Sequence, residues 1–207
     1  MSLLQTALFA AKKHSWQRRK DSTGAPYIEH PLEVAALIES VGQINDLPIL
    51  QAALLHDTLE DTDTTYDELV RTFGAEVADI VREVTDDKSL PKDERKRLQI
   101  VHAPHKSRAA KTVKLADKLH NLRSLQHDAP KGWSIARIRG YFVWSHAVVQ
   151  GLRGTNAGLE AALDKVFAGH FETTLGAGAV HSVLPPASER EAALQFYLAD
   201  MKTTTIS

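Results

Sequence analysis

The sequence predicts an all-α fold, a bundle of amphipathic helices, for this chain of 207 residues. Apolar residues recur at spacings of three and four over most of its length, and no segment has a convincing strand pattern. Proline and glycine stand where helices begin and end. A hydrophobic content of 43% without any cysteine is typical of one compact domain that has no disulfides.

In the first part of the chain, each predicted helix follows from a local signal. Pro31 and Pro48 favour helix starts because a first-turn residue needs no backbone N–H, and Gly42 ends the helix between them. The helix after Pro48 is apolar on nearly all sides, which predicts burial. A basic loop, residues 18–24, follows the first helix. These helices are predicted at residues 3–11, 32–41 and 49–55.

The remaining helices follow from the same kinds of signal. Thr65, with a glutamate three residues later, predicts a capping box for a short helix that Gly74 ends. Pro91 marks a charged loop that enters another helix, and Ser188 predicts the cap of the last one. Amphipathic helices are also predicted at residues 77–84, 109–125, 138–152, 159–167 and 192–201.

Charge and composition limit the partners and the compartment. The 25 basic and 26 acidic side chains give a formal net charge of −1, so we expect neither nucleic acid nor an anionic membrane as partner. No apolar run approaches the ~20 residues of a membrane span, and residues 1–11 do not resemble a signal peptide, which favours the cytoplasm. Residues 1–171 are expected to form one domain, and residues 172–207 a C-terminal extension with one helix. A homo-oligomer is compatible with the sequence, which does not decide the oligomeric state.

Four ionisable residues directly after a buried apolar helix are the strongest functional signal. His56, Asp57, Glu60 and Asp61 lie within the string Leu-Leu-His-Asp-Thr-Leu-Glu-Asp-Thr, residues 54–62. A purely structural helix would avoid the cost of desolvating these groups. Carboxylates this close repel one another unless a cation or a shared proton intervenes. The string therefore predicts a metal site.

Further ligands must come from other segments, and His30 and Asp117 are the best candidates. Each alone is typical of a helix cap or a surface ion pair. Together with His56 and Asp57 they form a set of two imidazoles and two carboxylates, which suits manganese, iron, zinc or magnesium. Such a set leaves positions open for water and a phosphate oxygen, as hydrolytic sites require.

These strings carry a family resemblance. The chain resembles the HD-domain phosphohydrolases, and among them the small alarmone hydrolases related to the hydrolase domain of RelA/SpoT proteins and to the metazoan SpoT homologue. The matching segments occur in the family's order from near the start of the chain to about residue 171. They are residues 18–21, 24–31, 54–62, 114–122 and 151–156.

The resemblance implies a fold and a set of roles. It implies an HD-domain helical bundle in which a divalent ion, usually Mn²⁺, is bound by four ligands. Glu60 and Asp61 match the acidic pair that positions or deprotonates the attacking water or assists the leaving group. The implied metal ligands are His30, His56, Asp57 and Asp117.

The resemblance also implies nucleotide contacts. Arg19 matches a residue that stacks on the base, Lys20 a basic residue of the pocket, and Asn121 a residue near base and ribose. Among the cations of residues 88–97, Lys92 is our preferred candidate for a phosphate contact, although a solvated helix face explains most of them. His120, His127 and His146 are interpreted as packing or surface residues, and the aromatic residues 133–144 as core.

The family's reaction is removal of the 3′-pyrophosphate from guanosine 3′,5′-bis(diphosphate) or its pentaphosphate analogue, giving GDP or GTP and pyrophosphate. This implies a guanosine nucleotide as the small-molecule substrate. One alternative keeps the fold and hydrolyses another phosphorylated nucleotide such as NADPH. A second alternative is a nucleotide-binding regulator without turnover, and a purely structural helical protein ranks last.

Overall fold

The protein is mostly helical, which confirms the predicted all-α class. The computed structural model describes residues 1–20, 23–172 and 179–203. Parts of two predicted segments, residues 21–22 of the basic loop and residues 173–178 and 204–207 of the extension, lie outside this description. The helices are α1 (Leu3–Lys13), α2 (Glu29–Ser40), α3 (Leu47–Leu55), α4 (Thr58–Asp61), α5 (Tyr66–Phe73), α6 (Ala75–Val84), α7 (Lys92–His102), α8 (Arg108–His127), α9 (Ile135–Gln150), α10 (Ala157–Phe167) and α11 (Ala187–Thr203).

Helix starts are fixed by polar side chains that accept hydrogen bonds from the first-turn amides. Ser2 forms a full capping box with Gln5 on α1. Thr65 caps α5 as predicted, accepting from the amide of Glu68 at 3.1 Å. Asp46, at the start of α3, accepts from Ile49. These caps set the helix boundaries and so the rotation of each helix about its axis.

Helix α8 lies at the centre of the fold. It packs against α2, α3, α6, α9 and α10 and is therefore surrounded by other helices along much of its length. Its apolar side chains Leu115, Leu119 and Leu122 are fully buried, as the sequence predicted. Polar residues of the same helix, Asp117 and Lys118, are buried as well. Buried charges on a central helix require partners, and these partners define the site described below.

Two helices differ from the predicted bounds in ways that affect the site. Helix α2 begins at Glu29, so Pro31 occupies the first turn and not its first position. Helix α3 ends at Leu55, and a separate short helix, α4, begins at Thr58. His56 and Asp57 form the turn between them and keep right-handed helical backbone angles.

The expectation that the chain has no strand was wrong. Residues His170–Glu172 (β1) and Val180–Ser182 (β2) form an antiparallel pair in which Phe171 lies opposite His181. Phe171 is buried against Phe142 of α9, with ring centroids 5.5 Å apart. Strands of three residues are too short for an alternating pattern to be recognised in the sequence.

The last helix, α11, packs against α9 and α7. Gly140 of α9 allows this close approach, because a Cβ at this position would lie 2.6 Å from the Cβ of Tyr197. Tyr197 is 1% exposed, and its ring contacts those of Tyr141 and Trp144. Among the described residues, no helix has the combination of length and apolar character that crossing a bilayer requires.

Candidate metal centre and nucleotide cavity

His30 enters the site from the first turn of α2, where it is 3% exposed. The preceding segment is closed by a bridge between Arg18 and Pro26 and by a 2.9 Å hydrogen bond from the Arg19 amide to the Ala25 carbonyl. The Tyr27 hydroxyl of the same segment donates a short hydrogen bond to Oδ2 of Asp57. The basic loop and the start of α2 are thus attached to the site.

His56 and Asp57 lie where the buried helix α3 ends. Nδ1 of His56 donates to the Ala53 carbonyl at 2.7 Å, which leaves Nε2 as the nitrogen that faces the site. Oδ2 of Asp57 lies 3.1 Å from that nitrogen. The interruption between α3 and α4 lets both neighbouring side chains reach one point.

Asp117 completes the cluster from the central helix α8. Its Oδ1 accepts a 2.6 Å hydrogen bond from Nδ2 of Asn121, one helical turn further on. Its Oδ2 lies 3.3 Å from Nζ of Lys118. These two contacts fix the carboxylate, since each oxygen has a polar partner.

The four predicted metal ligands converge. Nε2 of His30 lies 3.2 Å from Nε2 of His56, 3.3 Å from Oδ1 of Asp117 and 3.7 Å from Oδ2 of Asp57. Within the described residues, ligand atoms of His30, His56 and Asp117 lie within 4.8 Å of one another and could hold one ion. Asp57 adjoins this group through His56.

The electrostatics of the cluster favour an added positive charge. Burial opposes the charge on His56, but Asp57 and Asp117 outweigh it and raise its pKa to about 9. Burial likewise opposes the charge on Asp57, yet His56 and His30 hold its pKa well below the usual range. The pKa of Asp117 is also lowered, by Lys118 and then the histidines, against the effect of burial. A divalent cation that displaces the proton of His56 would supply this charge, and two imidazoles with two carboxylates fit such an ion.

His120 was not expected in the site. It is 8% exposed, and its Nδ1 lies 2.7 Å from Nδ1 of His30. Its Nε2 lies 2.5 Å from a carboxylate oxygen of Glu33 on α2. His120 is thus a packing residue, as interpreted, but its contact with the predicted ligand His30 goes beyond that interpretation. The sequence signal that could have revealed this contact is spacing: His120 follows Asp117 by three residues and so lies on a neighbouring part of the same helix face.

Glu60 and Asp61 lie beside the cluster and make other contacts. Glu60 accepts from the Asp86 amide at 3.3 Å and lies 3.5 Å from Arg95. Asp61 pairs with Lys88 at 2.6 Å. Burial, followed by the charges of Asp86 and of nearby carboxylates, raises the pKa of Glu60. A carboxyl group with a raised pKa next to a candidate metal centre is suited to accept a proton.

A cavity of about 820 Å³ opens beside this cluster. Tyr27, which contacts Asp57, and Asn121, which contacts Asp117, both line it. The cavity wall is therefore one hydrogen bond away from two of the predicted ligands. Much of the remaining lining is basic or aromatic, which suits a phosphorylated ligand with a flat ring: Trp16, Arg18, Arg19, Lys20, Lys88, Lys96, Trp133 and Tyr141.

Three of the four predicted nucleotide contacts, Arg19, Lys20 and Asn121, line this cavity. Lys92 is not among the described lining residues, whereas Lys96, one turn further along α7, is. Burial and the cations Arg137 and Lys20 lower the pKa of Lys92.

Two aromatic residues that the sequence assigned to the core, Trp133 and Tyr141, line the cavity, and Phe142 and Trp144 are buried. Trp133 lies in the short loop before α9 and lines the cavity. The helical spacing of the aromatic residues did not indicate this position.

A helical domain with a buried His/Asp cluster defines the class of HD-type metal-binding domains, and comparison with known proteins agrees. A family model described as an HD domain matches residues 7–140. The chain therefore belongs to the HD-domain family.

The chain is also similar to individual relatives, as the resemblance implied. It is 59% identical over 165 residues to the guanosine-3′,5′-bis(diphosphate) 3′-pyrophosphohydrolases of Danio rerio and Homo sapiens, covering 80% of this chain and 92% of each relative. A solved structure described as a metazoan SpoT orthologue that hydrolyses ppGpp has 50% identity and a TM-score of 0.78, covering 80% of this chain and 93% of that one.

Proposed function

We propose that this protein hydrolyses guanosine 3′,5′-bis(diphosphate), and its pentaphosphate analogue, to GDP or GTP and pyrophosphate. The observation that carries the proposal is a buried His/Asp cluster whose hydrogen-bond partners Tyr27 and Asn121 line an adjacent cavity rich in cations and aromatic rings. Relatives with 59% identity over 80% of the chain carry the name of this reaction, which supports the choice of substrate.

The metal ligands in this proposal are His30, His56, Asp57 and Asp117. Mn²⁺ is the proposed ion, since a mixed set of imidazole and carboxylate donors suits it. A bound divalent ion lowers the pKa of water and draws charge away from the phosphoryl group. The hydrogen bonds of His56 to Ala53 and of Asp117 to Asn121 orient two of these ligands before any ion binds.

Glu60 and Asp61 are the proposed catalytic pair. Water attacks the phosphorus next to the ribose 3′ oxygen and the bond from phosphorus to that oxygen breaks, which gives pyrophosphate and a nucleotide whose 3′ oxygen takes up a proton. Glu60 takes a proton from the water, a role to which its raised pKa suits it. Asp61, which lines the cavity, supports proton transfer to the departing 3′ oxygen.

The nucleotide is proposed to lie along the basic and aromatic walls. The guanidinium of Arg19 can stack on the base, and Lys20 can pair with phosphate. Asn121 can contact base or ribose while its amide still binds Asp117. Lys92 is proposed as an outer phosphate contact, because a lysine with cationic neighbours gains from a nearby anion.

Three further expectations belong to this proposal. Residues 1–171 form the hydrolase domain, with 172–207 as an extension that is not a separate domain; the packing of α11 on α9 and α7 supports this arrangement. The protein acts in the cytoplasm, which cell fractionation tests. Its oligomeric state follows from light scattering on the purified chain.

The proposal is tested by incubating the purified protein with ppGpp and Mn²⁺, with EDTA in a parallel sample, and separating the products by ion exchange. We expect GDP and pyrophosphate in equal amounts, and none with EDTA. NADPH and other phosphorylated nucleotides are assayed in parallel. A folded, Mn²⁺-loaded protein that leaves ppGpp intact refutes the assigned substrate, and cleavage of NADPH alone would support the alternative nucleotide.

A further inference from the structure

Three side chains connect the protein surface to the predicted metal cluster. Glu33 is 61% exposed at its side chain, His120 is 8% exposed, and His30 is 3% exposed. Glu33 lies 2.5 Å from Nε2 of His120, and Nδ1 of His120 lies 2.7 Å from Nδ1 of His30. Because all ring nitrogens of both histidines have polar neighbours, the arrangement of protons along this chain can be deduced.

The deduction starts at His30. Its Nε2 faces His56 and Asp117, so this nitrogen needs its lone pair in order to bind a cation. The proton of a neutral His30 must then lie on Nδ1, which donates to Nδ1 of His120. His120 in turn carries its proton on Nε2 and donates to the carboxylate of Glu33. This set of tautomers satisfies both contacts of the chain from His30 to Glu33 and leaves Nε2 of His30 for the cation.

The contacts of His120 require a neutral ring, because its Nδ1 must accept the proton of His30 while its Nε2 donates to Glu33. A neutral ring can accept the proton of His30, whereas a charged ring cannot. Ring packing alone, with centroids 4.7 Å apart, would not require the two Nδ1 atoms to meet at hydrogen-bond distance.

We propose that His120, oriented by Glu33, is a positioning residue that holds His30 in the tautomer and ring orientation that bind the metal through Nε2. The inference rests on the proposed metal site and adds residues that the HD ligand set does not include. Outer partners of this kind typically change metal affinity by 10- to 100-fold when they are removed. The expected effect is therefore on Mn²⁺ binding itself, before any catalysis.

The test measures Mn²⁺ affinity in the full-length chain, by the electron paramagnetic resonance signal of free Mn²⁺. We expect His120→Leu to raise the Kd by roughly 10- to 100-fold. His120→Asn, whose side-chain oxygen can replace Nδ1 as acceptor, should recover most of the affinity. His127→Leu, an exposed position two turns further along α8, is the matched control and should leave the Kd unchanged. Glu33→Gln should have a smaller effect than His120→Leu, because Glu33 is largely exposed.

The outcomes separate the possible failures. Unchanged Mn²⁺ affinity in His120→Leu would overturn the positioning role but leave the metal site intact. If the unmodified protein does not bind Mn²⁺, the metal site and this inference both fail. If His120→Leu does not fold, as judged by urea unfolding of the metal-free protein, His120→Gln replaces it. The glutamine amide reaches the position of Nε2 and not that of Nδ1. The His120→Gln variant should therefore bind Mn²⁺ more weakly than His120→Asn, and equal affinities would refute the proposal.

Discussion

Replacing Tyr197 with alanine should destabilise the protein by about 3–5 kcal/mol. The ring is 1% exposed and lies between α11 and α9, with ring centroids 5.8 Å from Trp144 and 6.0 Å from Tyr141. An aromatic side chain buries roughly 150–250 Å², which at about 25 cal/mol per Å² corresponds to about 4–6 kcal/mol. Part of the lost contact area is recovered by relaxation, which gives the lower range.

Urea unfolding followed by circular dichroism measures this loss, and Phe196→Ala is the matched control. Phe196 is the preceding residue of the same helix but is 49% exposed. Its truncation should change stability by less than about 1 kcal/mol, since exposed positions contribute little. A loss below about 1 kcal/mol in Tyr197→Ala would contradict the view that α11 is part of the cooperative core. A separate early transition in the unmodified protein, reporting independent undocking of α11, would contradict it as well.

The remaining predictions concern the active site. Asp117→Ala should lose bound Mn²⁺ and activity together, whereas Glu60→Ala should lose activity by roughly 100- to 10,000-fold and keep Mn²⁺, as measured by metal analysis; equal metal loss would show that Glu60 is misassigned. Burial and the charge of Asp86 raise the pKa of Glu60. As pH falls, Glu60 is therefore protonated, and activity is lost, at a higher pH than for a glutamate with the usual pKa. Asp86→Asn should therefore move the acidic limb of kcat/KM to lower pH, and Asp87→Asn, an exposed neighbour, should not. Arg19→Ala should raise KM by roughly 10- to 100-fold with a smaller change in kcat, and an unchanged KM would exclude Arg19 from nucleotide binding.

The ligand set could be predicted because its residues carry strong local signals. His56 and Asp57 follow an apolar helix, where ionisable groups are costly to bury. His30 and Asp117 were added by resemblance and by ligand type, and the structure brings all four together. The sequence predicted that Glu60 and Asp61 crowd against His56 and Asp57, which was only partly right. The helix is interrupted between α3 and α4, and Glu60 and Asp61 make their contacts with α7 and the loop before it.

The partners of these ligands were harder to predict. His120 contacts a residue 90 positions earlier in the chain, and this pairing depends on how α2 and α8 pack. A single sequence contains no direct information on that distance. Trp133 and Tyr141 were assigned to the core because aromatic residues at helical spacing usually lie there. Both do pack against the core, and their additional place in the cavity wall depends on the tertiary packing of α9 and of the loop before it.

Helix α8 constrains how this protein can evolve. Asp117 and Asn121 face the metal cluster and cavity, Lys118 lies over Trp144, and His120 reaches α2. An insertion of one residue would rotate everything beyond it by about 100° and separate these contacts at once. The walls formed by the basic loop and by α9, in contrast, come from separate segments. Selection can therefore alter the cavity walls through those segments while the contacts of α8 with the His/Asp cluster stay unchanged.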